Sequence, residues 1–208
     1  MNAKRRRARS LPLASILVSL ILAAAQPSHA AEPFALSYGL EAQGDYAAAA
    51  KLLEPLAKAG DDFAGLRIGW LAYLQGQHDQ SERAYAVVID RNPRAIEARL
   101  GRMLPLMAKK RWDDAISEGQ AVLGQSQWNY TAHLRLLACE QAIGEWVLLD
   151  RHATQLAEAF PSDADVLIYR ARARERAGDK TAAKEIYAQV LERAPENPEA
   201  IAQLQKLP

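Results

Sequence analysis

The feature that most constrains this 208-residue chain is an internal repeat. A turn between two helical patterns recurs at a nearly constant spacing, at Gly44-Asp45-Tyr46, Gly76-Gln77-His78, Lys110-Arg111-Trp112, Gly144-Glu145-Trp146 and Gly178-Asp179-Lys180. A fixed period of about 34 residues predicts stacked helical pairs, because one pair cannot bury its apolar stripe alone. The chain is 50% apolar and 25% charged, which excludes disordered and collagen-like classes.

The repeating unit has a glycine turn, a small residue one turn into the second helix and a closing proline. Such a unit resembles the tetratricopeptide repeat. The best match is residues 62–95, through Ile68-Gly69, Tyr73, Gly76, Ser81, Tyr85 and Pro93. Residues 164–197 match nearly as well, through Ala171, Gly178-Asp179, Ala183, Tyr187 and Pro195. The first unit has Sel1-like character in its ending, A-K-A-G-D-D-F-A.

The resemblance implies an all-α fold, a right-handed α-solenoid of about five helix-turn-helix repeats. The repeat domain spans 31–197, with units at about 31–61, 62–95, 96–128, 129–162 and 163–197. Residues 198–208 are predicted to form a capping helix, because Asn197 suits an N-cap and Pro198 suits the first helical position.

Two units depart from the pattern. In the third, Leu100-Gly101 lies twelve residues before Trp112, whereas ten residues separate Ile68 from His78. Gly101 is aligned with Gly69, so two extra residues are expected in or after this first helix. The helix also contains Pro105, which is expected to kink it. In the fourth unit, leucines 137 and 149 fill the small-residue positions, which predicts a splayed pair.

The N-terminus is typical of a secretory signal peptide. Residues 1–30 contain five basic groups and no acid, and the basic segment precedes an apolar run over residues 11–25. Ser28 and Ala30 are small residues at the spacing of a cleavage site. We therefore expect a signal peptide over 1–30, cleavage after Ala30 and a periplasmic mature protein. An uncleaved anchor is the alternative, although the run is shorter than the ~20 residues that span a bilayer.

The sequence contains no recognisable catalytic, cofactor-binding or metal-binding motif. The single cysteine, Cys139, lies in an apolar helical stretch and is expected in the core. We therefore expect no enzymatic activity, no cofactor and no metal. Because the chain is predicted to be exported, nucleic acid is not an expected partner, and the mature chain is not expected to span a membrane.

In proteins that this chain resembles, ligands lie along a concave groove lined by the first helix of each pair. The sequence alignment implies a partner-binding groove that contains Phe34, Tyr38, Phe63, Leu66, Trp70, Tyr73, Arg102, Arg172 and Arg176. Trp70 is the strongest candidate, since Gly69 already supplies the small residue and tryptophan is common at interface hot spots. Alternatively, Leu66, Trp70 and Tyr73 fill the contact between adjacent first helices, or the segment next to the signal peptide folds back on them.

Two basic clusters permit two interpretations. Residues 170–176 read R-A-R-A-R-E-R, and residues 109–111 read K-K-R near Arg99 and Arg102. Each can be a solvated helix face with nearby acids, which for 170–176 would be Glu175, Glu185 and Glu192. Each can instead be a docking patch for an anionic partner.

These observations predict a non-catalytic periplasmic scaffold that binds a peptide or protein segment in its groove, within an envelope or secretion complex. The alternative is a structural subunit that forms homo-oligomers, or an accessory of an outer-membrane or exopolysaccharide export system that binds an anionic partner.

Overall fold

The computed structural model describes residues 32–207, and these form eleven α-helices. The helices are α1 (Glu32–Ala42), α2 (Tyr46–Lys58), α3 (Asp62–Leu74), α4 (His78–Arg91), α5 (Ile96–Ala108), α6 (Trp112–Leu123), α7 (Tyr130–Ile143), α8 (Trp146–Ala159), α9 (Ala164–Arg176), α10 (Lys180–Arg193) and α11 (Pro198–Lys206). The predicted signal peptide and the cleavage site after Ala30 lie outside the described residues.

The helices form five hairpins, α1–α2 to α9–α10, and α11 packs on α10. From the second hairpin onward, the first helices begin at Asp62, Ile96, Tyr130, Ala164 and Pro198, so the repeat period is constant over this part of the chain. First helices of successive hairpins from α3 to α9 contact one another, whereas the second helices lie farther apart. The first helices therefore line the concave face. The predicted all-α solenoid with a C-terminal helix is confirmed.

The hairpin turns depend on residues with positive φ. Gly44, Gly76, Gly144 and Gly178 have φ between 71° and 83°, where a side chain is unfavourable. In the third hairpin the equivalent residue is Lys110, with φ 57°. The backbone conformation of the turn is thus repeated even where the sequence has no glycine.

Side-chain caps begin most of the first helices. Asp61, Asn129, Asp163 and Asn197 each accept a backbone N–H from the first turn that follows, and such caps satisfy donors that have no partner within the helix. The predicted start of the capping helix at Asn197 and Pro198 is confirmed. Ala200 and Leu207 pack in the same core cluster as Ile186, so α11 covers the end of the solenoid.

The expectation of two extra residues in the third unit is wrong. Helices α3 and α5 have the same length and begin one repeat period apart, so the counterpart of Gly69 is Met103. Gly101 instead faces Tyr85 of the preceding hairpin, whose ring is clamped between Gly69 and Gly101. A Cβ at Gly69 would lie 2.8 Å from that ring, and one at Gly101 would lie closer still.

The sequence predicts irregular packing at two places, Pro105 in the third hairpin and the two leucines of the fourth hairpin. Helix α5 continues through Pro105 to Ala108, with Pro105 buried, so the proline does not end the helix. Leu137 and Leu149 are fully buried between α7 and α8, and these two helices approach each other less closely than any other hairpin pair of residues 32–207. The predicted splay of the fourth pair is confirmed. None of the helices described is both long and apolar enough to cross a membrane.

Candidate functional site

The N-terminal end of the concave face carries three aromatic side chains, which we call the aromatic surface: Phe34, Tyr38 and Phe63. The rings of Phe34 and Phe63 have centroids 5.0 Å apart and join helices α1 and α3. Phe63 is 49% exposed and Tyr38 is 47% exposed, whereas Phe34 also packs against the core cluster of Ala49, Leu53, Ala64 and Leu71. Of the five aromatic residues predicted for the groove, Tyr38 and Phe63 are exposed, and Phe34, Trp70 and Tyr73 are half-buried.

Trp70 lies next to the aromatic surface, half-buried and engaged with its neighbours. Its Nε1 donates to Glu41 Oε1 over 2.8 Å, and its ring stacks on Tyr73 with centroids 5.9 Å apart. The second predicted alternative, a contact between adjacent first helices, therefore describes this side chain in part, because Glu41 lies on α1. A partner-binding role for Trp70 and Tyr73 stays a prediction.

Glu41 connects helix α1 to helix α3 through two hydrogen bonds. It accepts from Trp70 and from Arg67 Nη2, the latter over 2.6 Å, and the Arg67 guanidinium lies 3.9 Å from the Tyr38 ring centroid. Burial raises the pKa of Glu41, but the hydrogen bonds and the charge of Arg67 outweigh burial and leave that pKa below its usual value. The carboxylate is therefore ionised at neutral pH and fixes both partners.

Leu66 packs against the core cluster of Val88, Ile89, Ala95 and Ala98, and it is half-buried. Its role in the structure is to join hairpins two and three. Direct binding by Leu66 stays a prediction.

Arg102 is not at a helix position equivalent to that of the groove residue Trp70, and this corrects the alignment on which its prediction rested. Its counterpart one repeat period earlier is Ile68, not Trp70. The side chain pairs with Glu118 of α6 at 2.8 Å and with Glu82 of α4 at 3.4 Å, between two second helices. The prediction placed Arg102 two residues out of register because it aligned Gly101 with Gly69.

Four of the five cations in the basic cluster around residue 110, Arg99, Arg102, Lys109 and Arg111, are paired with acids within the fold. Arg99 pairs with Glu118, and Lys109 and Arg111 both pair with Glu82. Burial raises the pKa of Glu82, but the surrounding cations outweigh it and lower that pKa overall. These contacts favour the interpretation of a paired helix face for this cluster.

The C-terminal basic cluster is also paired, though not with the expected acids. Arg170 and Arg174 pair with Asp150 of α8. Arg172 makes a two-pronged ion pair with Glu199 of α11, at 2.7 and 2.5 Å, and donates to Gln141 over 2.9 Å.

Arg176 is the exposed member of this cluster, with its guanidinium 5.3 Å from the Trp146 ring centroid. Together with Arg172 it borders a polar cleft of about 560 Å³, whose other lining residues include Trp146, Lys180, Tyr187 and Glu199. The predicted groove residues thus fall into two groups at opposite ends of the concave face, one aromatic and one polar.

Sequence reasoning missed a polar relay between α7 and α8. His133 Nδ1 lies 2.8 Å from His152 Nε2, and His152 Nδ1 lies 2.8 Å from Glu140 Oε1. His133 Nε2 lies 2.9 Å from the carbonyl oxygen of Gln127. The two histidines are nineteen residues apart. The signal that could have found them is the splay of this hairpin, which leaves room for polar groups between its helices.

The described residues offer little that resembles catalytic chemistry. Cys139 is buried, as predicted, and burial raises the pKa of its thiol to about 11, so the reactive thiolate is disfavoured. Within residues 32–207, no three His, Cys, Asp or Glu side chains are grouped to hold a metal ion.

Comparisons with known proteins agree with this architecture. Two segments match sequence models of the tetratricopeptide repeat, residues 66–129 and residues 165–197. No curated protein sequence matches the chain.

Solved structures of tetratricopeptide repeat proteins share the fold at low sequence identity. A repeat protein from Parabacteroides merdae has a TM-score of 0.75 at 12% identity, over 85% of this chain and 71% of that chain. The thermophilic protein TTC0263 from Thermus thermophilus has a TM-score of 0.61 at 19% identity, over 85% and 97%. YrrB, described as a repeat protein with an unusual peptide-binding site, has a TM-score of 0.63 at 13% identity, over 76% and 82%.

Two segments of the chain therefore match the tetratricopeptide repeat in sequence, and the chain shares the fold of solved tetratricopeptide repeat proteins.

Proposed function

We propose that this protein is a non-catalytic scaffold that binds a peptide or protein segment along its concave face, in a complex of the cell envelope. The observation that carries the proposal is the aromatic surface. Phe63 and Tyr38 are about half exposed on adjacent first helices, beside a fixed Glu41–Arg67 ion pair. Clustered exposed aromatic residues on a rigid support are typical of the centres of binding interfaces.

Two further observations support the proposal. The fold is shared with YrrB, whose description names a peptide-binding site. The residues before Ala31 have the basic, apolar and small-residue segments of a secretory signal peptide, which supports a periplasmic location. N-terminal sequencing of the protein from fractionated cells tests the location: a mature chain that begins at Ala31 in the periplasmic fraction is expected, and an uncleaved chain in the cytoplasm would contradict it.

Photocrosslinking in cells tests the binding surface. A photoreactive phenylalanine at Phe63 is expected to give a discrete protein adduct. The matched control is the same group at Val147, an 85% exposed residue on α8, a second helix. Equal adducts at both sites, or an adduct at Val147 alone, would contradict binding on the concave face.

The second candidate, a self-assembling structural subunit, requires a contact between copies, and Val147, 85% exposed on a second helix, is one apolar side chain that such a contact would bury. An adduct at Val147 with the mass of two copies of this chain, together with a sedimentation coefficient that rises with concentration, would support this alternative.

A further inference from the structure

Arg135 and Arg67 occupy the same position in two different repeats. Arg67 lies nine residues before the turn residue Gly76, and Arg135 lies nine residues before Gly144. Both are in first helices, α3 and α7, on the concave side of the solenoid. Only one of these two cations has a carboxylate partner among the described residues.

The partner of Arg67 comes from the preceding first helix. Glu41 on α1 lies three residues before Gly44 and pairs with Arg67 at 2.6 Å. In α5, which precedes α7, the residue three before the turn residue Lys110 is Met107. The position that supplies the counter-ion to Arg67 is therefore apolar in front of Arg135.

No other described residue replaces this missing acid. Arg135 Nη1 donates to the carbonyl oxygen of Leu100, and the side chain forms no ion pair with a carboxylate of residues 32–207. Burial lowers the pKa of Arg135, and the groups that oppose this are tyrosines, Tyr85 and Tyr73. By contrast, Arg172 at the end of the concave face is neutralised by Glu199.

A half-buried guanidinium without a counter-ion is a binding element for an anion. It has five N–H donors in a planar fork that fits a carboxylate, and one donor atom is used by Leu100. The half-buried positions of α5, which precedes Arg135, and of α7, which carries it, are largely apolar: Leu100, Leu104, Met107, Leu134 and Ala138, of which Met107 and Leu134 also pack on core clusters. An occupant that satisfies both the cation and its neighbours is an apolar peptide segment with one acidic side chain.

We infer that Arg135 binds an aspartate or glutamate side chain of the partner, in the position that Glu41 occupies for Arg67. This inference rests on the proposed function, a peptide-binding concave face. It adds that the bound segment carries an acidic side chain and that Arg135 is the residue that recognises this side chain.

The test uses random peptides displayed on phage, selected on the wild-type protein. The best binder is then synthesised twice, with its acidic residue as glutamate and as glutamine, and both affinities are measured by fluorescence anisotropy. The proteins are wild type, Arg135→Met, Met107→Glu and the control Arg83→Met. Arg83 is an exposed arginine on the second helix α4, so its loss changes the net charge equally.

On wild type and on Arg83→Met, the glutamate peptide is expected to bind at least about tenfold more tightly than the glutamine peptide, as for a charge-assisted hydrogen bond. On Arg135→Met the two peptides are expected to bind alike. Met107→Glu supplies an internal counter-ion to Arg135, and it is expected to weaken the binding of the glutamate peptide by a similar factor. Thermal unfolding of each variant verifies that it folds.

Failure of the Arg135 inference and failure of the proposed function would give different results. Selected peptides without acidic enrichment, or a glutamate preference that persists on Arg135→Met, would overturn the role of Arg135 and leave the groove as a peptide site. Selection of no peptide by the wild-type protein, together with no adduct at Phe63, would overturn the proposed function and this inference with it.

Discussion

Arg67 and Arg135 are the same residue at the same repeat position, but their contributions to stability are expected to differ. Arg67→Met removes the counter-ion of Glu41, a mostly buried carboxylate, and is expected to cost about 2 kcal/mol of the free energy of unfolding. Arg135→Met removes a half-buried cation that has no ion-pair partner in the described chain, and it is expected to leave stability unchanged or to raise it. Urea unfolding measures the free energy of unfolding of both variants. An equal loss in the two would contradict the assignment of Arg135 as a cation without a counter-ion.

Lys110 is strained by the turn it occupies. Its φ of 57° lies in the left-handed region, where the other hairpin turns place glycine. Lys110→Gly is expected to stabilise the protein by about 1 kcal/mol, because the side-chain penalty of this conformation is removed. Urea unfolding provides the measurement. The reverse change, Gly178→Ala in the fifth turn, is the control and is expected to destabilise by a similar amount.

The sequence predicted which helix a groove residue lies on better than it predicted which side chains are in contact. Phe34, Tyr38 and Phe63 were placed correctly on first helices, because their register follows from the turn glycines. Arg102 was misplaced, because alignment on Gly101 ignored the constant repeat period. The ion pairs of Arg67 and Arg172 join residues 26 and 27 positions apart, and no local pattern encodes which acid each arginine meets.

At the element scale, α7 and α8 are held apart by leucines and joined by a relay of polar groups. The carbonyl of Gln127 needs a donor from His133 Nε2, and the carboxylate of Glu140 needs a donor from His152 Nδ1. The Nδ1 of His133 then faces the Nε2 of His152 over 2.8 Å, and this contact can hold one proton but not two.

The burial of His133 in this relay predicts how acid affects the hairpin. Burial lowers the pKa of His133 below its ordinary value of 6.5, so the unfolded chain takes up a proton at a higher pH than the folded one. Stability is therefore expected to fall as the pH drops from about 7 to about 5, because protonation of His133 sets an N–H group against the facing ring of His152. The groups that face this pair are Glu140 and, at the mouth of the adjoining pocket, Glu158.

Urea unfolding at several pH values from 5 to 7 measures the effect. His133→Gln can still donate to Gln127 and accept from His152 but does not titrate, so its stability is expected to depend less on pH in this range. An unchanged pH dependence in His133→Gln would assign the effect to other groups. Nitrogen chemical shifts of the imidazole rings give a direct reading, with Nδ1 of His133 expected without a proton.

The sequence could predict that this hairpin is splayed but not what fills it. Leu137 and Leu149 are read from the repeat register, and both are buried as that register requires. His133 and His152 lie on different helices, at positions that meet only once the hairpin has opened. The relay is thus a consequence of the splay, and no local motif encodes it.

At the scale of the whole molecule, each hairpin depends mainly on its neighbours, so stability is a sum of unit and interface terms. Helix α11 is half of a further repeat, and it begins one repeat period after α9. It covers the core cluster of Ile186, Tyr187 and Val190, and Glu199 neutralises Arg172. The end of the solenoid therefore depends on α11 for both apolar cover and charge balance.

Truncation of the chain after Glu196 tests this dependence. The loss of α11 exposes apolar side chains of α10 and leaves Arg172 without its acid, so amide hydrogen exchange is expected to accelerate most in α9 and α10. Exchange in α3 and α4 is expected to stay near the wild-type rate, because their contacts are with hairpins at the other end. Glu199→Gln, which keeps the apolar cover and removes only the charge, is the control and is expected to have a smaller effect on α9. Uniform acceleration across all helices would show that the solenoid unfolds as one cooperative unit, and the nearest-neighbour description would then be wrong for this protein.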